Sequence, residues 1–322
     1  MEHDADLRDR VLTPRRMGHI ADQLEEAIGA LEVSAMSDWR IRIPPDTRLP
    51  EIVRRLREAA AEESFPECPS QRALIAQAAR DAQEFAEISW VLPVDALRPL
   101  RQRLQKAVFG TLGQTRQEAY QAQSELWTGA VLARSGALTG VRISDEGKSP
   151  DFILRNGTEE YAVEVKRPTN PPRALDLVSK AAGQLRNDRY HGGAIVVDLT
   201  DCLGSKLGDL SGRGRPRMDE VEAKIKELTN PLRKQVFGDS SGRIQARYHH
   251  IFALVMFTRA IWWDLDDLSQ MHPLRHVLSI RFWHGIKDLR YWRAGWLAEL
   301  IDKGIGETGH QGLGKREITF DA

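Results

Sequence analysis

Apolar positions in the first third of the chain recur at helical spacing. In "PRRMGHIADQLEEAIGALE", Ile20, Leu24, Ile28 and Leu31 share one face behind a Thr13 cap and a first-turn Pro14. "LPEIVRRLREAAAEE" and "CPSQRALIAQAARDAQEFAEI" repeat that spacing, and the proline-broken "RIRIPPDTRLP" connects the first two helices. A boundary is expected near Pro93, in "SWVLPVDALRP". Residues 1–105 are therefore expected to form a helical region that binds a protein partner, regulates the rest, or self-associates.

Beyond that boundary a longer helix is expected from about Gln114 to Ser135. Its face of Leu126, Gly129, Ala130 and Ala133 is small enough to pack closely on a sheet, with Glu125 at the border. The period then changes to two. "LTGVRIS", "DFILRN" and "EEYAVEVK" predict three consecutive strands, followed by a helix ("PRALDLVSKAAGQLRNDRY") and a strand ("GAIVVDLT"). A Gly/Arg-rich loop, a helix ("RMDEVEAKIKELTNPLRKQVF"), two apolar strands and a final helix ("KDLRYWRAGWLAELIDKG") complete the expected order. Residues 106–322 thus read as one α/β domain with a mixed central sheet flanked by helices.

Charge changes this picture only locally. The chain of 322 residues is neutral overall. Residues 1–100 hold 13 arginines, no lysine and 19 acidic residues, whereas residues 101–322 hold 33 basic and 27 acidic ones. The imbalance fits an anionic partner for the second part or ordinary variation of the surface. The run from Ile251 to Trp263 is too short to span a bilayer and contains Arg259, so a buried strand is expected and no membrane contact. Trp262 and Trp263 must point to opposite faces of it, and one is expected to be covered by another domain or subunit. Trp283, Trp292 and Trp296 read as core or interface aromatics. The polar N-terminus does not resemble a secretory signal, and Cys68 and Cys202 alone cannot form a disulfide framework or a cysteine zinc site. A cytoplasmic protein is expected. His249, His250, His272 and His276 lack a ligand framework and read as strand-end and loop histidines.

Candidate chemistry concentrates in "SPDFILRNGTEEYAVEVKRP". Asn156-Gly157 is the preferred pair for a two-residue type I′ hairpin turn. That turn predicts Arg155 opposite Thr158, Phe152 opposite Tyr161 and Asp151 opposite Ala162. Phe152, Leu154, Tyr161, Val163 and Val165 then share an apolar face, while Asp151, Ile153, Ala162, Glu164 and Lys166 share the other. Glu164 becomes the diagonal neighbour of Asp151, roughly 7–8 Å away at Cα, a spacing from which two carboxylates can reach one cation.

Pro150-Asp151, Glu164-Val165-Lys166 and the acidic Glu125 on the preceding helix resemble the PD-(D/E)XK nuclease superfamily, the restriction-endonuclease-like fold. The resemblance covers about residues 113–200, with helix, three strands, helix and strand in the family's order. It implies Mg²⁺- or Mn²⁺-dependent hydrolysis of phosphodiester bonds in DNA, or RNA, with a role in bacterial restriction or phage defence. Asp151 and Glu164 would bind the ion, with the Val165 carbonyl as a further ligand and Glu125 holding a second ion or a metal-bound water. Lys166 would assist the attacking nucleophile or the scissile phosphate, and Gln184 on the next helix would contact substrate. Lys180, Arg186, Lys206, Arg213, Arg215 and Arg217 are the candidate phosphate contacts. The alternative is an inactive protein of this fold that binds nucleic acid or assembles with a partner.

Overall fold

The computed structural model describes residues 11–33, 43–91, 101–108, 117–134, 141–143, 150–186, 190–202, 211–213, 223, 227, 250–281, 289–307 and 313–319. Four helices come first: α1 (Pro14–Val33), α2 (Arg48–Ala60), α3 (Pro69–Val91) and α4 (Arg101–Val108). Thr13 caps α1 by accepting from the Arg16 N–H at 3.4 Å. In α2, Leu49, Ile52, Val53, Leu56 and Ala59 are buried at the spacing of one helical face. α5 (Gln117–Arg134) leads into β1 (Val141–Ile143), β2 (Phe152–Asn156) and β3 (Glu159–Lys166). Then come α6 (Pro171–Leu185), β4 (Gly193–Asp198), β5 (Ser211–Gly212), β6 (Ile251–Asp264), β7 (Met271–Arg281), α7 (Leu289–Glu307) and β8 (Leu313–Thr319). The class is α/β. Among the described residues no helix is long and apolar enough to cross a membrane.

The strands form one mixed sheet in the order β1-β2-β3-β4-β6-β7-β8, with β5 beside the far end of β6. β1, β2 and β3 pair antiparallel in sequence, and β3, β4 and β6 run parallel. Phe152, Leu154, Tyr161, Val163, Val165, Ala194, Val196, Val255 and Phe257 belong to the main core, with Leu126, Trp127 and Ala130 of α5. The intervening Ile153, Ala162, Ile195, Val197, Leu254 and Met256 are buried but lie outside that cluster. This is the alternation of a sheet covered on both faces. α6 packs on β3 and β4. Its start is set by Asn170, whose side chain accepts from the Arg173 N–H at 3.0 Å, and by prolines in the first turn.

The small face of α5 allows close approach. A Cβ on Gly129 would stand 2.8 Å from the Phe152 ring, so only glycine brings helix and sheet this near. The helices before residue 105 share the same core: Met17, Leu24, Leu49, Leu56, Ala78 and Phe85 join the sheet residues in one cluster. A buried ionic network runs through the junction. Arg48 meets Asp81 at 2.6 Å, Arg259 contacts both Glu84 and Asp198, and Arg167 reaches Asp201 at 2.7 Å and Asp198 at 3.6 Å. Ser124 donates to Asp198 at 2.6 Å. Burial alone would raise the Asp198 carboxyl, but Arg259 and Arg167 hold it well below the usual carboxylate range.

One local expectation holds, one is corrected, and one strand is new. The Trp262–Trp263 pair is buried within the chain, with Trp263 covered from the N-terminal helical region and not by a second subunit. Trp263 meets Phe65 edge-on at 5.2 Å, and Trp262 fills the space where a Cβ on Gly212 would lie 2.4 Å away. His276 is an interior residue of β7, opposite Thr258, because β7 pairs along most of the long β6. β8 was not foreseen, since "LGKREIT" carries no apolar run, yet it pairs parallel with β7. The helix expected at 217–237 lies largely outside the described residues, with Ala223 and Glu227 helical, and Trp283 and His249 lie outside them too. Trp296 packs partly buried against the core, and Trp292 is exposed.

Candidate active site

The hairpin that carries the candidate acids forms, but its register differs from the expected one by two residues. Asn156 pairs with Glu159, Arg155 with Glu160, Leu154 with Tyr161 and Phe152 with Val163. The two-residue loop is therefore Gly157-Thr158, and Asn156 closes β2. Gly157 has φ +60°, and no non-glycine residue among those described has positive φ. A positive φ at the first central residue alone is the type II′ requirement, and it spares Asn156 the left-handed conformation that type I′ demands. The apolar pattern could not reveal this, because a shift of two keeps every side chain on its face. The chosen register also sets Arg155 against Glu160, whose side chains pair at 2.7 Å.

One step beyond the end of the β2–β3 ladder, Asp151 comes opposite Glu164 rather than diagonal to it. Both are buried, at 6% and 2% exposure. Asp151 Oδ2 accepts from the Val165 N–H at 2.8 Å, and Oδ1 accepts from Arg103 Nη2 at 2.9 Å. Glu164 Oε1 is paired with the half-buried Lys166, whereas Oε2 is buried without a hydrogen-bond partner. Glu125 enters from α5. Its Oε2 lies 2.7 Å from Arg103 Nε, and its Oε1 accepts from Gln121 Nε2 at 2.8 Å. The Gln121 Nε2 also donates to the Val165 carbonyl at 2.7 Å, and its Oε1 accepts from the Arg167 N–H at 2.8 Å.

The three acids feel one another. Burial, then the charge of Asp151, pushes the Glu125 carboxyl up to about 7 against the pull of Arg103 and Gln121. Burial and Asp151 likewise push Glu164 up to about 7, opposed by Lys166 and reinforced by Glu125. Hard carboxylate oxygens suit Mg²⁺ or Mn²⁺, and the unpartnered Glu164 Oε2 is a donor without an internal role. Among the described residues no three histidine, cysteine or carboxylate side chains are arranged to hold an ion together, and Arg103 lies between Asp151 and Glu125. The Val165 carbonyl is engaged by Gln121.

The other candidates lie elsewhere. Gln184, Lys180 and Arg186 are exposed. Leu185, next to Gln184, packs over Gly193, which pairs with Ala162 in the middle of β3. Arg213 is exposed and lies 3.7 Å from Asp266. Lys206, Arg215 and Arg217 lie outside the described residues. His250 makes a 2.6 Å contact with the Ala182 carbonyl, a structural role. Two residues of the site were missed. Gln121 stands one helical turn before Glu125, a spacing that could have flagged it. Nothing in sequence spacing could have flagged Arg103. No family model, curated protein or solved structure matches this chain.

Proposed function

We propose that this chain is a Mg²⁺- or Mn²⁺-dependent phosphodiesterase acting on nucleic acid, DNA in preference to RNA, with a PD-(D/E)XK-like core. The observation that carries this reading is the meeting of Asp151, Glu164 and Lys166 on facing strands, with Glu125 within electrostatic reach from α5. The order α5-β1-β2-β3-α6-β4 supports it, because that is the helix, three strands, helix and strand of the family it resembles. A role in restriction or phage defence belongs to the same proposal.

Asp151 and Glu164 would hold the ion. When bound, it would neutralise phosphate oxygens, ease formation of the nucleophile and stabilise the leaving oxygen. Lys166 presents its ammonium beside Glu164, where it can meet a phosphate oxygen. Glu125, with its carboxyl near 7, can hold or release a proton at neutral pH, the property wanted of a general acid or base. Gln121 fixes the backbone on both sides of Lys166. A second reading, an inactive nucleic-acid-binding or assembly module of the same fold, is favoured by one observation: Arg103 and Gln121 already engage Asp151, Glu125 and the Val165 carbonyl.

The test is incubation of the full chain with single- and double-stranded DNA and RNA, with Mg²⁺, with Mn²⁺ and with chelator. Metal-dependent cleavage that disappears in Asp151→Asn and Lys166→Ala is the expected result. Cleavage by Asp151→Asn at the wild-type rate would end the assignment to this site. Binding without cleavage under every condition would favour the second reading.

A further inference from the structure

Three cation–carboxylate contacts occupy the candidate site, and one side chain makes two of them. Arg103 places Nε 2.7 Å from Glu125 Oε2 and Nη2 2.9 Å from Asp151 Oδ1. One guanidinium fork therefore joins an acid on α5 to the acid that opens β2. Lys166 is committed to Glu164. α4, which carries Arg103, is anchored separately, since Leu104, Ala107 and Val108 are buried in the common core. The Arg103 side chain is about one-fifth exposed, so it can swing away while its helix stays docked.

We propose that Arg103 is a positioning residue that acts as a resident counter-cation, holding Asp151 and Glu125 together until a divalent cation displaces it. The proposal rests on the metal-dependent reading above. The physics is competition for the same lone pairs. Asp151, Glu125 and Glu164 repel one another, and the fork offsets the repulsion between Asp151 and Glu125 by bridging them with charge-assisted bonds. Glu164 keeps a free oxygen, so an incoming ion finds its first donor there and must win Asp151 from the guanidinium. Arginine suits this task better than lysine, because its planar fork spans two carboxylates where an ammonium is a point charge.

This role makes two measurements move in opposite senses. Without Arg103 the metal-free protein should be less stable, since Asp151 and Glu125 lose their shared counter-charge. Mn²⁺ should bind more tightly, since nothing competes for Asp151. A merely structural arginine would lower stability and leave Mn²⁺ affinity unchanged, and an arginine that helped build the ion site would lower both.

The experiment is Mn²⁺ titration of the full chain by calorimetry and by thermal melts, for wild type, Arg103→Gln and Arg103→Lys. Arg103→Gln should melt lower without metal and bind Mn²⁺ about tenfold more tightly, the change expected when one competing charge-assisted contact is removed. Arg103→Lys should fall between it and wild type. Should Arg103→Gln fail to fold, Arg103→Lys decides alone, again by tighter Mn²⁺ binding than wild type. Equal or weaker Mn²⁺ binding in the folded variants, with wild type binding normally, overturns the proposal and leaves the metal-dependent reading standing. No Mn²⁺ binding by wild type or either variant overturns both.

Discussion

Gln121 donates its side-chain amide to the carbonyl oxygen of Val165 at 2.7 Å, tying α5 to the strand residue just before Lys166. The same side chain accepts from Arg167 and donates to Glu125, so one neutral residue sets the backbone around the lysine and the direction of an acid. Gln121→Ala should cost about 1–3 kcal/mol, because it leaves buried polar groups unpaired. It should also slow cleavage more than it weakens binding of nucleic acid. Denaturant unfolding beside a cleavage assay tests this, and a variant within error of wild type in both would remove Gln121 from the site.

Metal-free stability should depend on pH in a definite direction. Glu125 and Glu164 have folded values of about 7 against an ordinary 4.5. Between those values the folded chain keeps protons that the unfolded chain has lost, so stability falls as pH rises across that window and levels off above it. Thermal melts from pH 4.5 to 8 in chelator should show the decline, and the Glu125→Gln and Glu164→Gln variants should each flatten it. Parallel profiles for wild type and both variants would show that these carboxyls titrate normally.

Asp151→Asn should destabilise the metal-free protein by about 1–3 kcal/mol. Each Asp151 oxygen accepts from a donor, the Val165 N–H and the Arg103 guanidinium, and the amide nitrogen of asparagine can accept from neither. The lost negative charge should also bring the Glu125 and Glu164 carboxyls down towards ordinary values, since Asp151 raises both. Carbon-13 NMR titration of the glutamate carboxyls would read that shift directly, and unmoved titrations would mean the three acids are not coupled.

The buried ionic network predicts a larger effect far from the acids. Arg259 contacts Glu84 on α3 and Asp198 at the end of β4, and stacks near Trp127. Arg259→Met should cost about 3–5 kcal/mol, because it leaves Glu84 buried without its ion-pair partner and Asp198 with Arg167 alone. Equilibrium unfolding measures it. A loss below about 1 kcal/mol would mean that the network relaxes around the gap or admits water.

Helix-to-sheet spacing is tested at Gly129. A Cβ there would meet the Phe152 ring at 2.8 Å, and Phe152 follows Asp151 directly. Gly129→Ala should therefore cost about 1–3 kcal/mol by overpacking, despite the better helix propensity of alanine. A stabilised variant, scored by its melting temperature, would show that Phe152 can turn aside.

Much of this protein was legible in its residues because the relevant signals are local. Period and capping marked the helices, as at Thr13 with Pro14, and alternation placed Phe152, Leu154, Tyr161, Val163 and Val165 on one face. The pairing of small residues on α5 with a sheet was visible in Gly129 and Ala130. The candidate acids were visible too, as Asp151, Glu164 and Glu125 beside Lys166. Tertiary structure decided what no local pattern encodes. Registers two residues apart bury the same faces, so the hairpin was settled by turn conformation and by partners such as Arg155 with Glu160. Arg103 reaches Asp151 across 48 positions of chain, and Arg259 reaches Glu84 across still more, contacts that exist only because docked helices bring distant charges into one low-dielectric space. Periodicity reports which face a residue occupies; only packing determines which charge it meets there.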